Sequence, residues 1–199
     1  FYQGFELWAG QTKLPGNIER VVSSANLQLI DRSLLNSRFN IDRDMGVQLR
    51  HQSKLFGNWI SKEKFAVSQG EGRNITEGNL GGLQYTSRLE ILPFGEFKSK
   101  GDYSQGDLSR EATVKAMFGI TYDINKNAVK TRSNLGSYMT QSSGGLFETD
   151  ITTLFVDGVL KYNGFALTGE YAKRTADAIE ALEDDGKTKT GAVVGAGSA

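Results

Sequence analysis

Along this chain apolar and polar side chains alternate with a period of two, in run after run. In MGVQLRHQSKL, Met45, Val47 and Leu49 share a face opposite Gln48, Arg50 and Gln52. LQYTSRLEIL sets Leu83, Tyr85, Leu89 and Ile91 against Gln84, Thr86, Arg88 and Glu90. TVKAMFGITY sets Val114, Ala116, Phe118, Ile120 and Tyr122 against Thr113, Lys115, Gly119 and Thr121. In TTLFVDGVLKYNGFALTGEY, Leu154, Val156, Leu160 and Tyr162 oppose Thr153, Asp157 and Lys161. After a two-residue turn at Asn163 and Gly164, Phe165, Leu167 and Tyr171 oppose Thr168, Glu170 and Arg174. Successive side chains of a strand point to opposite faces, so the pattern predicts an antiparallel sheet with one apolar and one polar face. The less regular stretches 1–12, 59–69 and 96–103 read as strands too, which brings the count to about ten.

Alternation alone does not say what the apolar face touches. In a soluble sandwich that face looks inward to a second sheet, whereas in a membrane barrel it looks outward to lipid and the charged face lines a bore. Three features favour lipid. Runs of roughly 10 to 13 residues suit a tilted membrane-crossing strand of about 9 to 11 residues better than the ~5 to 6 usual in soluble sheets. Short turns at 56–58, 93–95, 123–127 and 163–164 alternate with long polar segments at 13–44, 70–79, 104–110, 132–147 and 175–187. A meander built that way has tight turns at one end and long loops at the other. Finally Phe56, Trp59, Phe94, Phe97, Tyr122, Tyr162 and Phe165 stand next to the short turns. A row of rings there reads as an interfacial girdle, or equally as cross-strand aromatic pairing in ordinary hairpins.

Composition removes other classes. The 23 basic and 23 acidic residues give a formal charge of zero. The chain therefore lacks the long-range field of a nucleic-acid binder, and charge selectivity has to be local. There is no Cys, hence no thiol nucleophile, disulfide framework or thiolate metal site, and 24 Gly with only 2 Pro suit strands and turns. His51 is the single histidine. It sits on the apolar face with no base partner in its sequence context and reads as structural. Residues 180–189, EALEDDGKTK, lack the spaced oxygen ligands of a calcium loop and read as a solvated outer loop. GAVVGAGSA at the end is followed by no helix that would complete a phosphate-binding unit. No catalytic residue, cofactor or metal site is expected, so the chain is not read as an enzyme. Both ends look like interrupted strands, so the whole of residues 1–199 is expected to be one domain, incomplete at both ends.

Residues 12–46 break the strand rhythm. Helix-start signals at Ser24 and Asp31 precede apolar residues Leu27, Leu29, Ile30, Leu34 and Leu35, which need something to pack on. Inside a barrel, the 13–44 segment could fold inward and constrict the passage. Its Lys13, Arg20, Arg32, Arg38 and Arg43 offer anion contacts. Alternatively its arginines pair locally with Asp31, Asp42 and Asp44 to fasten the segment to the wall, and Arg43, between Asp42 and Asp44, is the best candidate for that.

The stretch AGQTKLPGNIERVVSSANLQLIDRSLLNSRFNIDRDMGVQL, residues 9–49, resembles the phosphate-selective porin O/P family. There a strand ending in Gly-Gln-x-Lys leads into a long loop with Ser-Ser and Arg-Ser signatures and then an Arg-Asp-x-Gly strand. KFAVSQGEG, residues 64–72, fits the following strand more loosely. The resemblance implies a sixteen-stranded transmembrane β-barrel of the bacterial outer membrane, a homotrimer embedded in lipid, with the long loop folded into the pore and small anions such as phosphate as solutes. The family's phosphate selectivity uses a ladder of wall arginines and loop lysines. Here the wall carries only Arg50, Arg88, Lys115 and Lys161, mixed with Glu90, Asp157 and Glu170. The expected function is passive diffusion of small hydrophilic solutes, with the preferred anion left open. A non-conducting outer-membrane barrel serving as a scaffold in a surface complex has the same strands with the bore plugged. A soluble β-sandwich binding module is the third reading.

Overall fold

The computed structural model describes residues 4–75, 80–140, 145–177, 180–182, 189–192 and 195–198. Seven long strands run in chain order: β1 (Phe5–Lys13), β2 (Arg43–Lys54), β3 (Ile60–Ser68), β4 (Gln84–Leu92), β5 (Lys115–Ala128), β6 (Thr149–Tyr162) and β7 (Phe165–Ala176). Each pairs antiparallel with the next, a pure meander. Beyond β7, the short β8 (Glu180–Leu182) and β9 (Lys189–Ala192) form a separate two-stranded ribbon, and β10 (Gly195–Ser198) adds an eighth strand to the sheet beside β7. The fold is therefore all-β. No helix among the described residues is long and apolar enough to cross a membrane.

The register follows the alternation read from the sequence. Leu49 opposes Phe65 and Leu7, Leu89 opposes Ile120, and Ile120 opposes Val156, so apolar side chains line up across strands on one face. That face is uncovered: Leu7 is 51 % exposed and Phe118 61 %. The opposite face carries Gln48, Lys64, Arg88, Glu90, Thr121, Asp123, Asp157, Lys161 and Arg174, all buried. Burial is thus inverted relative to a sheet packed on an apolar core.

Two segments cover the polar face. One is 14–42, which carries α1 (Ile18–Val21), a single 3-10 turn and α2 (Leu34–Phe39). It enters from the end where β1 stops. The other, 93–114, links β4 to β5 and enters from the opposite end. Two small apolar islands glue them down. Ile18, Val22 and Phe97 pack on Ile60, Leu92, Met117 and Val159 of the sheet, and Leu14, Leu35 and Ile41 pack on Ala66, Phe155 and Ala172.

Several expectations change. The turn expected at 123–127 is absent, because β5 runs straight through it to Ala128 and only a bulge, with Asn127 at φ 47°, interrupts the pairing with β6. Asp and Asn looked like turn residues there. In fact Asp123 and Asn125 face the covered polar side, where Gln84, Thr86 and Gly70 supply their hydrogen-bond partners. The strand expected at 96–103 is instead a 3-10 stretch folded onto the polar face. Pro93–Gly95 therefore does not join two strands, and the β4–β5 link is a long one at the tight-turn end. Strict alternation of short and long connections fails at that point. The turn at Asn163–Gly164 is present, with φ of 47° and 92° as a two-residue hairpin requires.

Within 14–42, the caps are Ser23 and Ser33 rather than Ser24 and Asp31. The Ser33 side chain accepts from the amide of Asn36 at 3.1 Å. Leu29, Ile30 and Leu34, expected to pack, are exposed, whereas Leu35 is buried. Residues 183–188, most of the acidic EALEDDGKTK stretch, lie outside the described residues, as do 193–194 and 199 of GAVVGAGSA and parts of three long segments (76–79, 141–144 and 178–179).

Candidate functional site

The polar face is the candidate site, because its ionic side chains are held in fixed geometry by two segments from opposite ends. At its centre, Arg88 donates from Nη1 and Nη2 to Asp157 at 2.7 Å each, from Nε to Glu90 at 2.7 Å and from Nη1 to Thr121 at 3.0 Å. Lys64 donates to Glu90 at 2.8 Å, and the Tyr103 hydroxyl donates to the other Glu90 oxygen at 2.5 Å. Burial, followed by the facing Glu90 carboxylate, pushes the Tyr103 phenol well above its usual range, which keeps it a donor. Buried charges are tolerable only in such mutually satisfied sets.

The 14–42 segment is bound to this face mainly through its backbone. Arg88 donates to the Gly16 carbonyl at 3.1 Å, and Arg174 donates to Arg38 and Phe39 carbonyls at 3.2 and 2.5 Å. The Glu170 carboxylate accepts from Asn17 Nδ2 at 3.1 Å and from the Glu19 amide at 2.5 Å. On the other segment, Lys161 donates to the carbonyls of Gly101, Ser104 and Gly106 at 2.6, 2.8 and 2.7 Å and to Ser104 Oγ at 3.0 Å. Lys62 donates to Asp102 at 2.6 Å.

The expected site residues divide accordingly. Lys13 donates to the carbonyls of Arg20, Val21 and Val22, closing the C-terminus of α1. Arg32 donates to the Glu19 and Val22 carbonyls at 3.1 Å each. Arg20 is ion-paired with Asp42, its Nε at 2.8 Å, and Arg73 reaches the second Asp42 oxygen at 3.2 Å. Burial raises the Asp42 carboxyl, but the Arg20 hydrogen bond and charge outweigh that and hold it below its ordinary value. The ion pair expected for Arg43 is therefore made by Arg20 instead. Asp44 accepts from the Gly70 and Met45 amides, so Arg43 makes no ion pair with either neighbouring aspartate. Arg43 opens β2, opposite Lys13. Arg38 is exposed. Lys115 donates to the Phe94 carbonyl at 2.6 Å at the tight-turn end.

Arg50 is placed differently. Its guanidinium lies 3.5 Å over the Trp8 ring, and Nε donates to Gln48, which itself donates to the Lys13 carbonyl at 3.1 Å. Beside it opens a cavity of about 620 Å³ between β1, β2, β3 and the 93–114 segment, reached by Lys62, Lys100 and Tyr103. Trp8, Lys62, Lys64, Lys100 and Tyr103 were not singled out from sequence, and Gln48 and Arg174 were placed on the polar face without a role. The alternation SKEKFAV could have placed Lys62 and Lys64 on the polar face once its register was known, whereas nothing local marks Tyr103.

The exposed face also differs in detail from expectation. His51 has a partner after all: Nδ1 lies 2.9 Å from Glu63 Oε2 of the neighbouring strand, and its ring stacks on Phe5 at 4.2 Å. Of the turn-proximal aromatics, Phe56, Trp59, Phe94, Tyr162 and Phe165 are exposed, and Phe56 stacks on Trp59. Phe97 is buried under α1, and Tyr122 lies well inside β5 because the turn after it does not exist. Among the described residues no group of three or more His, Cys, Asp or Glu is placed to hold a metal ion. The chain matches no family model, no curated protein and no solved structure.

Proposed function

We propose that this chain is part of the wall of a transmembrane β-barrel in the bacterial outer membrane, and that the protein is a porin through which small hydrophilic solutes diffuse. The observation that carries this reading is the inversion of burial across the sheet. Side chains such as Leu7, Val47, Phe118 and Ile120 stand uncovered, while Arg88, Glu90, Asp157 and Lys161 are enclosed. An uncovered band of that extent on a water-soluble protein would be an aggregation liability, whereas acyl chains solvate it without cost. Support comes from strands of 9 to 14 residues, an uninterrupted antiparallel meander and exposed rings at the tight-turn end. On this reading, the sheet continues into further strands of a sixteen-stranded barrel, as the resemblance to the phosphate-selective porin O/P family implies, and three copies form the trimer. The 14–42 segment then narrows the bore, with Arg38 on it and Arg43 at the start of β2 the expected cations left to meet a passing anion.

A second reading keeps the barrel and removes conduction. It is favoured by the two segments that cover the polar face from opposite ends. Reconstitution of the full-length protein in a planar lipid bilayer decides between them. Discrete conductance steps in potassium chloride are expected. A protein that inserts, shown by protease protection of its strands, yet never conducts is a plugged scaffold.

A further inference from the structure

On the polar face, nearly every cation is already committed. Arg88, Lys64, Lys62 and Lys161 have their partners within the protein, as described above, and Arg174 spends its guanidinium on Thr153 and the backbone of 38–40. Arg50 is not committed in this way, and neither is the exposed Lys100 of the 93–114 segment, which has no partner among the described residues. Trp8 covers one side of the Arg50 guanidinium and Gln48 takes Nε, while neither Nη group donates to a described residue, and Arg50 lines the 620 Å³ cavity. A guanidinium fixed at its face and at Nε, with its Nη groups unspent, is pre-organised for an oxyanion.

The rest of the lining restricts which oxyanion. Arg50, Lys62 and Lys100 line the cavity against Glu6, Glu96 and Asp102, and Lys64 is offset by Glu90 behind it, so the lining is close to neutral. A dianion such as hydrogen phosphate would be repelled twice over by the three carboxylates in a lining with no net positive charge to offset them. A single carboxylate needs only one guanidinium edge. The walls also include Trp8, Phe97 and Tyr103, and the volume is that of a small organic ligand.

We propose that this cavity is a binding site for small monocarboxylates with a flat apolar body, held by the Arg50 guanidinium and the aromatic wall, and that it sets the preference of the pore for such organic acids over phosphate. The proposal deepens the porin reading and rests on it for its place in transport. Gln48 is a positioning residue, because it fixes Arg50 through Nε and is fixed in turn by the Lys13 carbonyl.

Two readouts on the full-length protein test it, with benzoate and inorganic phosphate as probes. The first is block of potassium chloride current in planar bilayers. Benzoate should reduce conductance saturably, phosphate at equal concentration should not, and Arg50→Gln should raise the half-blocking benzoate concentration at least tenfold. The second reads binding without conduction. Trp59→Phe leaves Trp8 as the sole tryptophan of residues 1–199, and any tryptophan in the remaining chain is likewise replaced by Phe. Benzoate should then change Trp8 fluorescence in detergent with the same Arg50 dependence, and Arg50→Lys should restore only part of it. Equal or tighter binding of phosphate, or an unchanged benzoate titration in Arg50→Gln, overturns the proposal. Loss of conduction with Arg50-dependent benzoate binding retained overturns the channel reading and leaves the site standing.

Discussion

Arg88 on β4 and Asp157 on β6 are not on neighbouring strands, yet they form a two-point ion pair, 2.7 Å at each contact, that passes directly over Gly119 of β5. A Cβ at Gly119 would lie 2.4 Å from both Arg88 Nη2 and Asp157 Oδ1. The strand between them is kept bare so that the pair can close. Gly119→Val should therefore displace both ions, and Arg88→Ala should leave Asp157 and Glu90 short of a counter-charge, at a cost of roughly 3–5 kcal/mol for a broken buried pair. Thermal unfolding in detergent should show the Arg88→Ala loss. Asp157→Asn, which keeps the hydrogen-bonding shape, should lose less.

The exposed face distinguishes lipid from water. Ile120 lies midway along β5, opposite Leu89 and Val156. Ile120→Arg should cost roughly 2–4 kcal/mol of folding free energy if the face meets the bilayer midplane. In water, a surface substitution of this kind stays within about 0.5 kcal/mol. Urea titration of folding into liposomes measures the difference.

Lys161 fastens the 93–114 segment with one ammonium and four acceptors. Lys161→Met keeps the stem and removes every one of those bonds. Limited proteolysis should then cut within 98–110, where the wild-type chain resists, and single-channel conductance should rise as the segment leaves the polar face.

Acid should loosen the internal fold of the 14–42 segment through Asp42, whose partner Arg20 lies in the same segment. The Asp42 carboxyl is held below its ordinary value of 3.8 because Arg20 outweighs the effect of burial. The folded form therefore binds this proton more weakly than the unfolded one. Its contribution is present in full above about pH 3.8 and disappears as pH falls through the lower folded value. Hydrogen exchange of 14–42 should show an acid-induced loss of protection that Asp42→Asn removes.

Glu71 has the opposite sign. Burial, with repulsion from Asp44, raises its carboxyl above the ordinary 4.5 despite the hydrogen bond from the Gly81 amide. The folded state favours the protonated form, so this contribution is present below pH 4.5 and is lost as pH rises through the higher folded value. Glu71→Gln should raise the unfolding temperature at pH 7, and the gain should shrink toward pH 4.

Much of the fold was legible because strand periodicity is local. The two faces of 45–55, 83–92 and 152–171 follow from one bond geometry repeated along the chain, and the Asn163–Gly164 turn follows from the tolerance of those residues for positive φ. The errors cluster where composition was read without knowing which face was wet. Asp123 and Asn125 looked like turn residues, since in a soluble strand such side chains are rare. EFKSKGDY looked like a strand, since Phe97 and Tyr103 mimic alternation, although one packs under α1 and the other donates to Glu90.

The order of side chains alone determined the strands, their two unlike faces and the presence of a long irregular insertion after β1, because each depends on neighbours a few residues away. Tertiary structure decided which face is enclosed, that a second segment closes on it from the far end, that Asp42 pairs with Arg20 rather than Arg43, and that Arg50 keeps its Nη groups unspent. Those outcomes depend on residues tens of positions apart competing for the same few charged partners, and a competition of that kind is resolved only when the chain brings all of the competitors together.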